Sequence, residues 1–325
     1  MKAHTSLPIQ TSFPRASQLI YGCMGLGGGW NTDPVSTNDI KHTQAVIEAA
    51  LEEGITVFDH ADIYTFGKAE IAFGECLKRA PELRDQMVIQ SKCGIRFADE
   101  KGPKRYDFSA TWIEQSVDGI LRRLNIEQLD VLLLHRPDPL MDVVETTEIL
   151  RKLISIGKIK QIGVSNMQSA QISFMQKYLD LPIVANQIEM SLLQCDWLEE
   201  SLTTGSTSAR DNSFDSHLLT YCTENNLQMQ AWGSLAQGKL SSEERAQNTS
   251  QRAAAAKIKA LGEKYECSPE AIVLAWLMRL PNAIQPIIGT TNLARIRACA
   301  EAVNIRLSRE DWYALYQESR GQEVP

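Results

Sequence analysis

The sequence has few of the residues that define several common protein classes. It has five histidines, and its seven cysteines include no Cys-x-x-Cys pair. No run approaches the roughly 18 consecutive apolar residues of a membrane-spanning helix, and residues 1–18 lack the apolar segment of a secretory signal peptide. An odd, dispersed set of cysteines is typical of reduced thiols. We therefore expect a soluble cytoplasmic protein without disulfides.

The charge balance of the chain argues against nucleic acid and anionic membranes as partners. The 325 residues include 33 basic and 40 acidic side chains, which gives a net charge of −7. A net negative charge disfavours nucleic acid or an anionic membrane as the main partner. It leaves room for a local basic pocket that binds a small anion, so we expect a small-molecule partner, no nucleic acid and no membrane.

Eight apolar runs alternate with amphipathic segments along the chain. The runs begin at Leu19, Thr56, Met87, Val131, Ile159, Ile183, Leu227 and Ala283. Their continuous apolar character is typical of parallel strands that are covered on both faces. Eight such strands predict an α/β fold, a (β/α)8 TIM barrel. A doubly wound open sheet is the alternative that the same alternation permits.

The segments between the runs carry helix signals. Ser36 and Asp39 form a capping-box pattern that starts a helix ending near Gly54, and Ser268–Pro269 starts another helix. No linker-like composition divides the chain, so we expect a single domain over residues 1–325, with an N-terminal extension at 1–17 and a C-terminal tail at 303–325. Long polar stretches at 96–110, 199–215 and 238–251 follow strand ends, where they are either working loops or surface insertions.

Polar side chains follow six of the predicted strands in succession. These residues are Asp59, Lys92, His135, Ser165 with Asn166, Gln187 and Trp232. The carboxyl ends of the strands in an α/β barrel carry the catalytic residues. The sequence therefore predicts a functional site at this end of the barrel.

A metal centre is not expected at these strand ends. Only His60 and His135 of the five histidines lie there, and the sequence has no His-x-His or His-x-x-x-His. His60 follows Asp59 directly, so strand alternation points the two side chains to opposite faces. We expect His60 at the rim or behind the site.

The glycine-rich segment GCMGLGGGW at residues 22–30 does not complete a dinucleotide-binding fingerprint. Trp30 occupies the place of the last glycine, and no acidic residue ends a strand about 20 residues later. Close packing of the backbone, or a tight turn beside a ligand, explains these glycines better.

Tyr64 can act as an acid or base if its surroundings change its pKa. A phenol has a pKa near 10 in water, and an ammonium such as Lys92 favours the phenolate and lowers that pKa. Asp59 would keep Lys92 charged, and His135 could orient a carbonyl oxygen that Tyr64 protonates while a hydride reaches the carbon. The competing interpretation is four unrelated polar residues.

The ordered motifs resemble the aldo-keto reductase family. FDHADIY, SKCG, LLLHRPD, GKIKQIGVSN, ANQIE, AWGSLAQG and PIIGTTNLARIRA occur in the family's order between about Leu19 and Ala302. The branch that looks most similar is the bacterial oxidoreductases whose fourth strand ends in H-R-P-D. The resemblance implies a barrel that binds an extended nicotinamide dinucleotide without a Rossmann domain. It also implies the roles given above for Tyr64, Lys92, Asp59 and His135.

The resemblance also implies the cofactor residues. Ser165, Asn166 and Gln187 correspond to residues that hydrogen-bond the nicotinamide carboxamide, and Trp232 corresponds to the aromatic residue that stacks on its ring. The pyrophosphate loop after the seventh strand would comprise Gly233, Ser234, Leu235, Gly238 and Lys239, and the 2′-phosphate segment Gly289, Thr290, Thr291 and Arg295. Many relatives have Lys where this chain has Gly289, but Arg295 favours NADPH over NADH.

The sequence says least about the substrate. Trp30, Phe66 and Phe97 are the candidate pocket residues, although ordinary packing explains the two phenylalanines as well. Thr-Phe-Gly follows Tyr64, where the family commonly has glycine at once. We expect a monomeric enzyme that reduces an aldehyde or ketone; the alternative is a nucleotide-binding sensor or regulatory subunit with little turnover.

Overall fold

The computed structural model describes residues 6–206 and 213–325. The first five residues of the predicted N-terminal extension, with His4, and residues 207–212 of the predicted polar loop at 199–215 lie outside the described residues.

The described residues contain ten strands. They are β1 Ile20–Gly22, β2 Val57–Asp59, β3 Val88–Cys93, β4 Ile95–Arg96, β5 Arg105–Tyr106, β6 Leu129–Leu134, β7 Ile159–Ser165, β8 Ile183–Glu189, β9 Gln228–Trp232 and β10 Gln285–Ile288. Eight of them form a closed parallel barrel in the order β1-β10-β9-β8-β7-β6-β3-β2. Because β1 pairs with both β2 and β10, the sheet has no edges. The predicted (β/α)8 barrel is confirmed, and the open-sheet alternative is wrong.

Eleven α-helices accompany these strands in the described parts of the chain. They are α1 Thr37–Glu52, α2 Lys68–Arg79, α3 Ala110–Leu124, α4 Val143–Ser155, α5 Ser169–Gln176, α6 Asp196–Leu202, α7 Leu218–Glu224, α8 Thr249–Tyr265, α9 Pro269–Met278, α10 Leu293–Ala300 and α11 Arg309–Arg320. Helix α1 begins with the predicted capping box, because Ser36 Oγ accepts from Asp39 N–H and Asp39 Oδ2 accepts from Ser36 N–H. None of the described helices is long and apolar enough to cross a membrane.

The glycine-rich segment after β1 packs closely against the start of α2. Gly27 has a φ of +74°, and a Cβ atom there would lie 2.4 Å from the backbone of Lys68. Only glycine combines this left-handed conformation with such a close approach. The structure thus agrees with a packing role for these glycines.

An apolar cluster closes the N-terminal end of the barrel. Leu7, Ile9 and Phe13, from the segment predicted as an extension, pack beneath the strands with residues such as Val131. A hydrogen-bonded polar layer inside the barrel includes Gln90, Gln187, Gln230 and Gln285. The cleft lies at the opposite, carboxyl end, as in other α/β barrels.

The three polar stretches and the C-terminal segment contain structure of their own. Residues 96–110 include most of a small antiparallel hairpin formed by β4 and β5. Helix α6 occupies the start of the 199–215 stretch, and α8 begins within the 238–251 stretch. Helix α11, within the predicted tail at 303–325, packs against α8, where Lys264 pairs with Asp311 at 2.7 Å.

Candidate active site

Strand alternation brings the first catalytic candidates together inside the barrel. Gln90 and Lys92 lie two residues apart on β3, so both side chains point to the interior face beside Asp59 of β2. Lys92 is fully buried. Its Nζ atom donates to Asp59 Oδ2 at 2.7 Å, to the His60 carbonyl at 2.9 Å and to the Tyr64 hydroxyl at 3.0 Å. The ammonium therefore has three oxygen acceptors and no position left for water.

The surroundings of Tyr64 correct the expectation of a lowered phenol pKa. Burial raises the pKa of Tyr64 above its ordinary value; the charge of Lys92 and its hydrogen bond lower it, and the carboxylate of Asp59 raises it. The net shift is upward because burial outweighs the ammonium. Tyr64 is consequently a neutral phenol at neutral pH and can donate its proton.

The carboxylate of Asp59 holds Lys92 in the charged form. Burial by itself lowers the pKa of Lys92, but the charge of Asp59, the interaction with Tyr64 and the hydrogen bonds to both residues outweigh it, so the pKa of Lys92 lies above its ordinary value. The second oxygen of Asp59 accepts from Gln90 Nε2 at 2.6 Å and from Gln187 Nε2 at 3.0 Å. With the bond from Lys92, the buried carboxylate of Asp59 accepts three hydrogen bonds from protein donors.

His135 directly follows β6 and stands across the cleft from Tyr64. The two ring centroids are 6.2 Å apart. Burial, with smaller effects of the charges of Lys92 and Arg136, lowers the pKa of His135 to about 2. Its imidazole makes no hydrogen bond in the described residues, and its Nδ1 atom is buried. A neutral imidazole with an uncommitted ring nitrogen can donate a hydrogen bond to a carbonyl oxygen.

His60 lies behind the site and not at its rim. The ring is fully buried and packs edge-on against Phe73 of α2, with centroids 4.6 Å apart. Burial lowers the pKa of His60 to about 3. The predicted opposite orientation of His60 and Asp59 is thus seen. Of the two positions expected for His60, the structure shows the one behind the site, because helix α2 covers this face of the strand.

The backbone after Tyr64 turns through three left-handed residues. The φ angles are +47° at Thr65, +59° at Phe66 and +85° at Gly67. Left-handed conformations are costly for a β-branched residue, and the hydrogen bond from Thr65 Oγ1 to the Leu26 carbonyl at 3.0 Å helps to hold this turn. The turn places the ring of Phe66 at the surface, where it is 51% exposed.

A cleft of about 650 Å³ opens over the barrel. Most of the residues predicted for the site line it: Trp30, Asp59, Tyr64, His135, Ser165, Asn166, Gln187, Trp232, Gly233, Ser234, Leu235, Gly238, Gly289, Thr290 and Arg295. Lys92 lies beneath its floor. Lys239 and Thr291 do not line the cleft, and Phe66 and Phe97 line a separate hollow beside it. Trp30 bridges the two regions because its ring packs edge-on against Phe66.

The candidate carboxamide residues form one connected network. Trp232 Nε1 donates to Asn166 Oδ1 at 3.1 Å, and Asn166 Nδ2 donates to Ser165 Oγ at 2.7 Å. Ser165 Oγ donates in turn to the backbone carbonyl of Gln187 at 2.9 Å. The side-chain amide of Gln187 donates into the barrel, and its Oε1 accepts nothing from the described residues. That oxygen can accept from a ligand amide.

The loop after β9 offers unused backbone donors. Gly233 and Gly238 have φ angles of +69° and +74°. The N–H groups of Ser234 and Leu235 donate to no acceptor within the described parts of the chain, and the hydroxyl of Ser234 is bound to the Ile287 carbonyl at 2.7 Å. Free backbone N–H groups in such a turn favour an anion.

Opposite charges meet at the far end of the cleft. Arg295 Nε lies 4.0 Å from Glu270 Oε1, and both residues line the cleft. A Cβ atom at Gly289 would have no atom within 4 Å, so the lysine found in many relatives has room here. Arg245 lines the same region and forms no ion pair in the described residues.

Sequence reasoning missed three charged residues of the cleft. Arg245 precedes α8 and Glu270 lies in the first turn of α9, so neither is at a strand end. Arg136 follows His135, and its position in the H-R-P-D motif could have drawn attention to it. The guanidinium of Arg136 lies 5.7 Å from the ring centroid of Trp232. The described residues include no group of three or more potential metal ligands.

The chain is similar in sequence to a known protein family and to individual bacterial proteins. The aldo/keto reductase family model matches residues 18–318. The 6-dehydroglucose reductase of Agrobacterium fabrum strain C58 is 37% identical over 313 residues, which cover 95% of this chain and 96% of that protein. Oxidoreductase YdhF of Escherichia coli strain K12 is 34% identical over 282 residues, 86% of this chain and 88% of that protein.

The fold agrees with solved structures as well. The glycerol dehydrogenase of Gluconobacter oxydans superposes with a TM-score of 0.75 at 24% identity, over 95% of this chain and 94% of that one. The family model spans nearly the whole barrel, and the bacterial relatives are oxidoreductases over the same length. The chain belongs to the aldo/keto reductase family and is an NAD(P)H-dependent oxidoreductase.

Proposed function

We propose that the protein reduces an aldehyde or ketone to an alcohol with NADPH, using Tyr64 as the proton donor. The observation that carries this proposal is the 3.0 Å contact between Lys92 Nζ and the Tyr64 hydroxyl beneath a cleft that His135 also lines. A buried ammonium that contacts a phenol stabilises the phenolate, which matters when the phenol must lose and regain a proton.

The proposed proton transfer follows from this geometry. A reduced nicotinamide nucleotide, when bound, would supply the hydride for the carbonyl carbon and would be oxidised in exchange. The carbonyl oxygen takes the phenolic proton of Tyr64, which leaves a phenolate beside the ammonium of Lys92. Asp59 keeps that ammonium charged, and the neutral His135 orients the carbonyl oxygen by a hydrogen bond. Water then restores the proton to Tyr64.

The residues present fit a nicotinamide dinucleotide. The uncommitted Oε1 of Gln187 suits the amide group of the carboxamide, and Trp232 offers a ring for stacking. The free N–H groups of Ser234 and Leu235 suit a pyrophosphate. Arg295 supports the preference for NADPH through a charged contact to the 2′-phosphate. These assignments, including Lys239 and Thr291 from the sequence, are part of the proposal.

Wild-type protein with a panel of aliphatic, aromatic and sugar aldehydes tests the proposal. A sugar aldehyde belongs in the panel because a relative is a 6-dehydroglucose reductase. NADPH absorbance should fall with one equivalent of alcohol formed per NADPH oxidised. Tight NADPH binding without turnover of any carbonyl would favour the sensor or regulatory subunit instead.

We also propose that the protein is cytoplasmic and monomeric. The seven cysteines are all free thiols, which supports the cytoplasm as the location. The monomeric state predicted from the sequence can be checked by light scattering of the purified protein.

A further inference from the structure

We propose that Arg136 forms a binding subsite for a carboxylate on the carbonyl substrate. The inference rests on the proposed carbonyl reduction and names the substrate class: aldehydes or ketones that carry a carboxylate a short distance from the reacting carbon. Arg136 follows His135 directly and lines the cleft together with Tyr64. It is therefore placed where a substituent of a bound carbonyl compound would lie.

The guanidinium of Arg136 has no protein anion to pair with. Apart from its contact with the ring of Trp232, it makes no hydrogen bond or ion pair within the described residues. The nearby Asp138 is committed elsewhere, because its two oxygens accept from the backbone N–H groups of Phe108 and Leu140, each at 2.9 Å. The acid of the H-R-P-D motif thus holds the loop and leaves the arginine unneutralised.

Two other arginines near the barrel mouth, unlike Arg136, have carboxylate partners. Arg96 bonds to Asp99 and Asp107 at 2.7 and 3.0 Å, and Arg123 bonds to Glu70 at 2.7 Å. Both have the carboxylate partners that partly buried guanidinium groups usually have. The absence of such a partner at Arg136 points to a ligand anion.

The charges at this end of the cleft leave a net positive site. Asp59 and Lys92 cancel each other as a buried pair, and His135 is neutral because its pKa is about 2. Among the described residues that line this end of the cleft, Arg136 carries the one uncompensated charge. The cleft therefore attracts an anion beside the reacting carbonyl, although the whole chain carries a charge of −7.

The cofactor phosphates have other partners. The free N–H groups of Ser234 and Leu235 lie in the loop after β9, and Arg245 and Arg295 line the part of the cleft that also contains Glu270. Arg136 instead contacts Trp232, the candidate nicotinamide neighbour. An anion at Arg136 therefore belongs to the substrate.

The chemistry of the guanidinium favours a carboxylate. Arginine presents parallel N–H groups that match the two oxygens of a carboxylate. The Cζ atom of Arg136 lies over the ring of Trp232, 5.7 Å from its centroid. This cation–π contact limits the motion of the guanidinium, which lowers the entropic cost of binding an anion. A carboxylate held here also fixes the direction from which the carbonyl group approaches Tyr64 and His135.

Two aldehydes of the same shape test this subsite. 4-Carboxybenzaldehyde and 4-carbamoylbenzaldehyde differ in charge and not in size. With full-length protein and saturating NADPH, the wild type should show a higher kcat/KM for the acid, by about tenfold. Arg136→Gln should reduce that ratio by about tenfold, mainly through the KM of the acid, and Arg136→Lys should give an intermediate ratio.

The controls separate the possible failures. Arg122→Gln removes the same charge from an exposed position on α3 and should leave the ratio at the wild-type value. If the wild type reduces no carbonyl compound of the panel, the proposed function fails and this inference fails with it. If it reduces other aldehydes of the panel but not 4-carboxybenzaldehyde, only the carboxylate subsite is overturned. If both aldehydes are reduced and Arg136→Gln leaves their ratio unchanged, or slows both equally, only the carboxylate subsite is overturned.

Discussion

The Nζ atom of Lys92 lies 3.0 Å from the hydroxyl of Tyr64, although the residues are 28 positions apart in the chain. The contact exists because Lys92 is the penultimate residue of β3 while Tyr64 directly precedes the left-handed turn after the neighbouring strand β2. Burial raises the pKa of Tyr64 and the ammonium opposes that rise. Lys92 therefore stabilises the phenolate form of the buried Tyr64 side chain.

Lys92→Met should lower both turnover and stability. Removing one partner of a buried ion pair costs about 3–5 kcal/mol of unfolding free energy, because Asp59 keeps its charge without the ammonium. The pKa of Tyr64 would rise further, and kcat/KM should fall roughly a hundredfold or more. Urea unfolding and steady-state NADPH oxidation measure the two effects.

A double variant separates folding from chemistry. Asp59→Asn combined with Lys92→Met removes both charges, so it should recover much of the lost stability without recovering turnover. Lys259→Met, on the exposed face of α8, is the matched control and should change neither quantity. A stable double variant with wild-type turnover would show that the buried ammonium has no role in the reaction.

Arg295→Ala should weaken the use of NADPH more than that of NADH. The guanidinium can pair with the 2′-phosphate, which NADH lacks, so kcat/KM for NADPH should fall about tenfold relative to that for NADH. Steady-state kinetics with each nucleotide and one aldehyde measure the ratio. An equal loss for both nucleotides would contradict the assignment of Arg295 to the phosphate.

Glu270→Gln should increase the preference for NADPH over NADH, the opposite of the effect expected for Arg295→Ala. Its carboxylate lies 4.0 Å from Arg295 Nε and would repel a phosphate bound there, so the neutral amide should improve NADPH relative to NADH by a few-fold, on the order of 1 kcal/mol. Arg297→Ala is the control, since Arg297 pairs with Glu52 and Glu53 at the outside of α10. That variant should leave the nucleotide preference as it is.

Asp62→Asn should stabilise the protein at and above neutral pH. Burial, reinforced by the charge of Glu70, raises the pKa of Asp62 to about 7, while Arg123, the Ser116 hydroxyl and the Ile63 N–H oppose the shift. Between about pH 4 and pH 7 the folded protein keeps a proton that the unfolded chain has lost, so the unfolding free energy falls as the pH rises. Asparagine removes this loss, which is about 4 kcal/mol at pH 8 for a pKa raised from 3.8 to about 7.

Thermal unfolding from pH 4 to pH 8 measures this effect. The gain in Tm of Asp62→Asn should grow with pH and vanish towards pH 4. Glu70, whose pKa is also raised, mainly by burial, remains in both proteins, so the difference between them reports Asp62 together with its interaction with Glu70. Asp85→Asn, at an exposed carboxylate, should give no pH-dependent difference. A gain that is the same at every pH would rule out the raised pKa of Asp62.

Continuous apolar runs were sufficient to predict all eight barrel strands. Each run overlaps one strand of the closed sheet, because strands covered on both faces must be apolar along their length. The bounds differ at β6, which begins at Leu129, two residues before the run at Val131. The same logic located Asp59, Lys92 and His135, since polar residues at successive strand ends meet at one end of a barrel. Their proximity to Tyr64 depends on the local turn after β2, and the FDHADIY motif is the sequence feature that predicts it.

Residues that reach the cleft from outside the strand ends escaped prediction. Arg245 approaches it from the segment before α8 and Glu270 from the first turn of α9, so no strand pattern marks them. Phe66 was assigned to the pocket, but the left-handed turn directs it to a neighbouring hollow. His60 is buried because α2 covers it. In each case the position follows from tertiary packing and not from local periodicity.

Single-turnover hydride transfer in Tyr64→Phe tests the central claim most directly. NADPH-loaded protein is mixed with an aldehyde in a stopped-flow instrument, and NADPH binding is measured separately by fluorescence. The phenyl ring cannot donate a proton, so the rate should fall by roughly a hundredfold to ten-thousandfold, while Tyr106→Phe, on the partly exposed β5, keeps the wild-type rate. Hydride transfer within about threefold of wild type in Tyr64→Phe, well short of that range, would contradict the assignment of the proton donor.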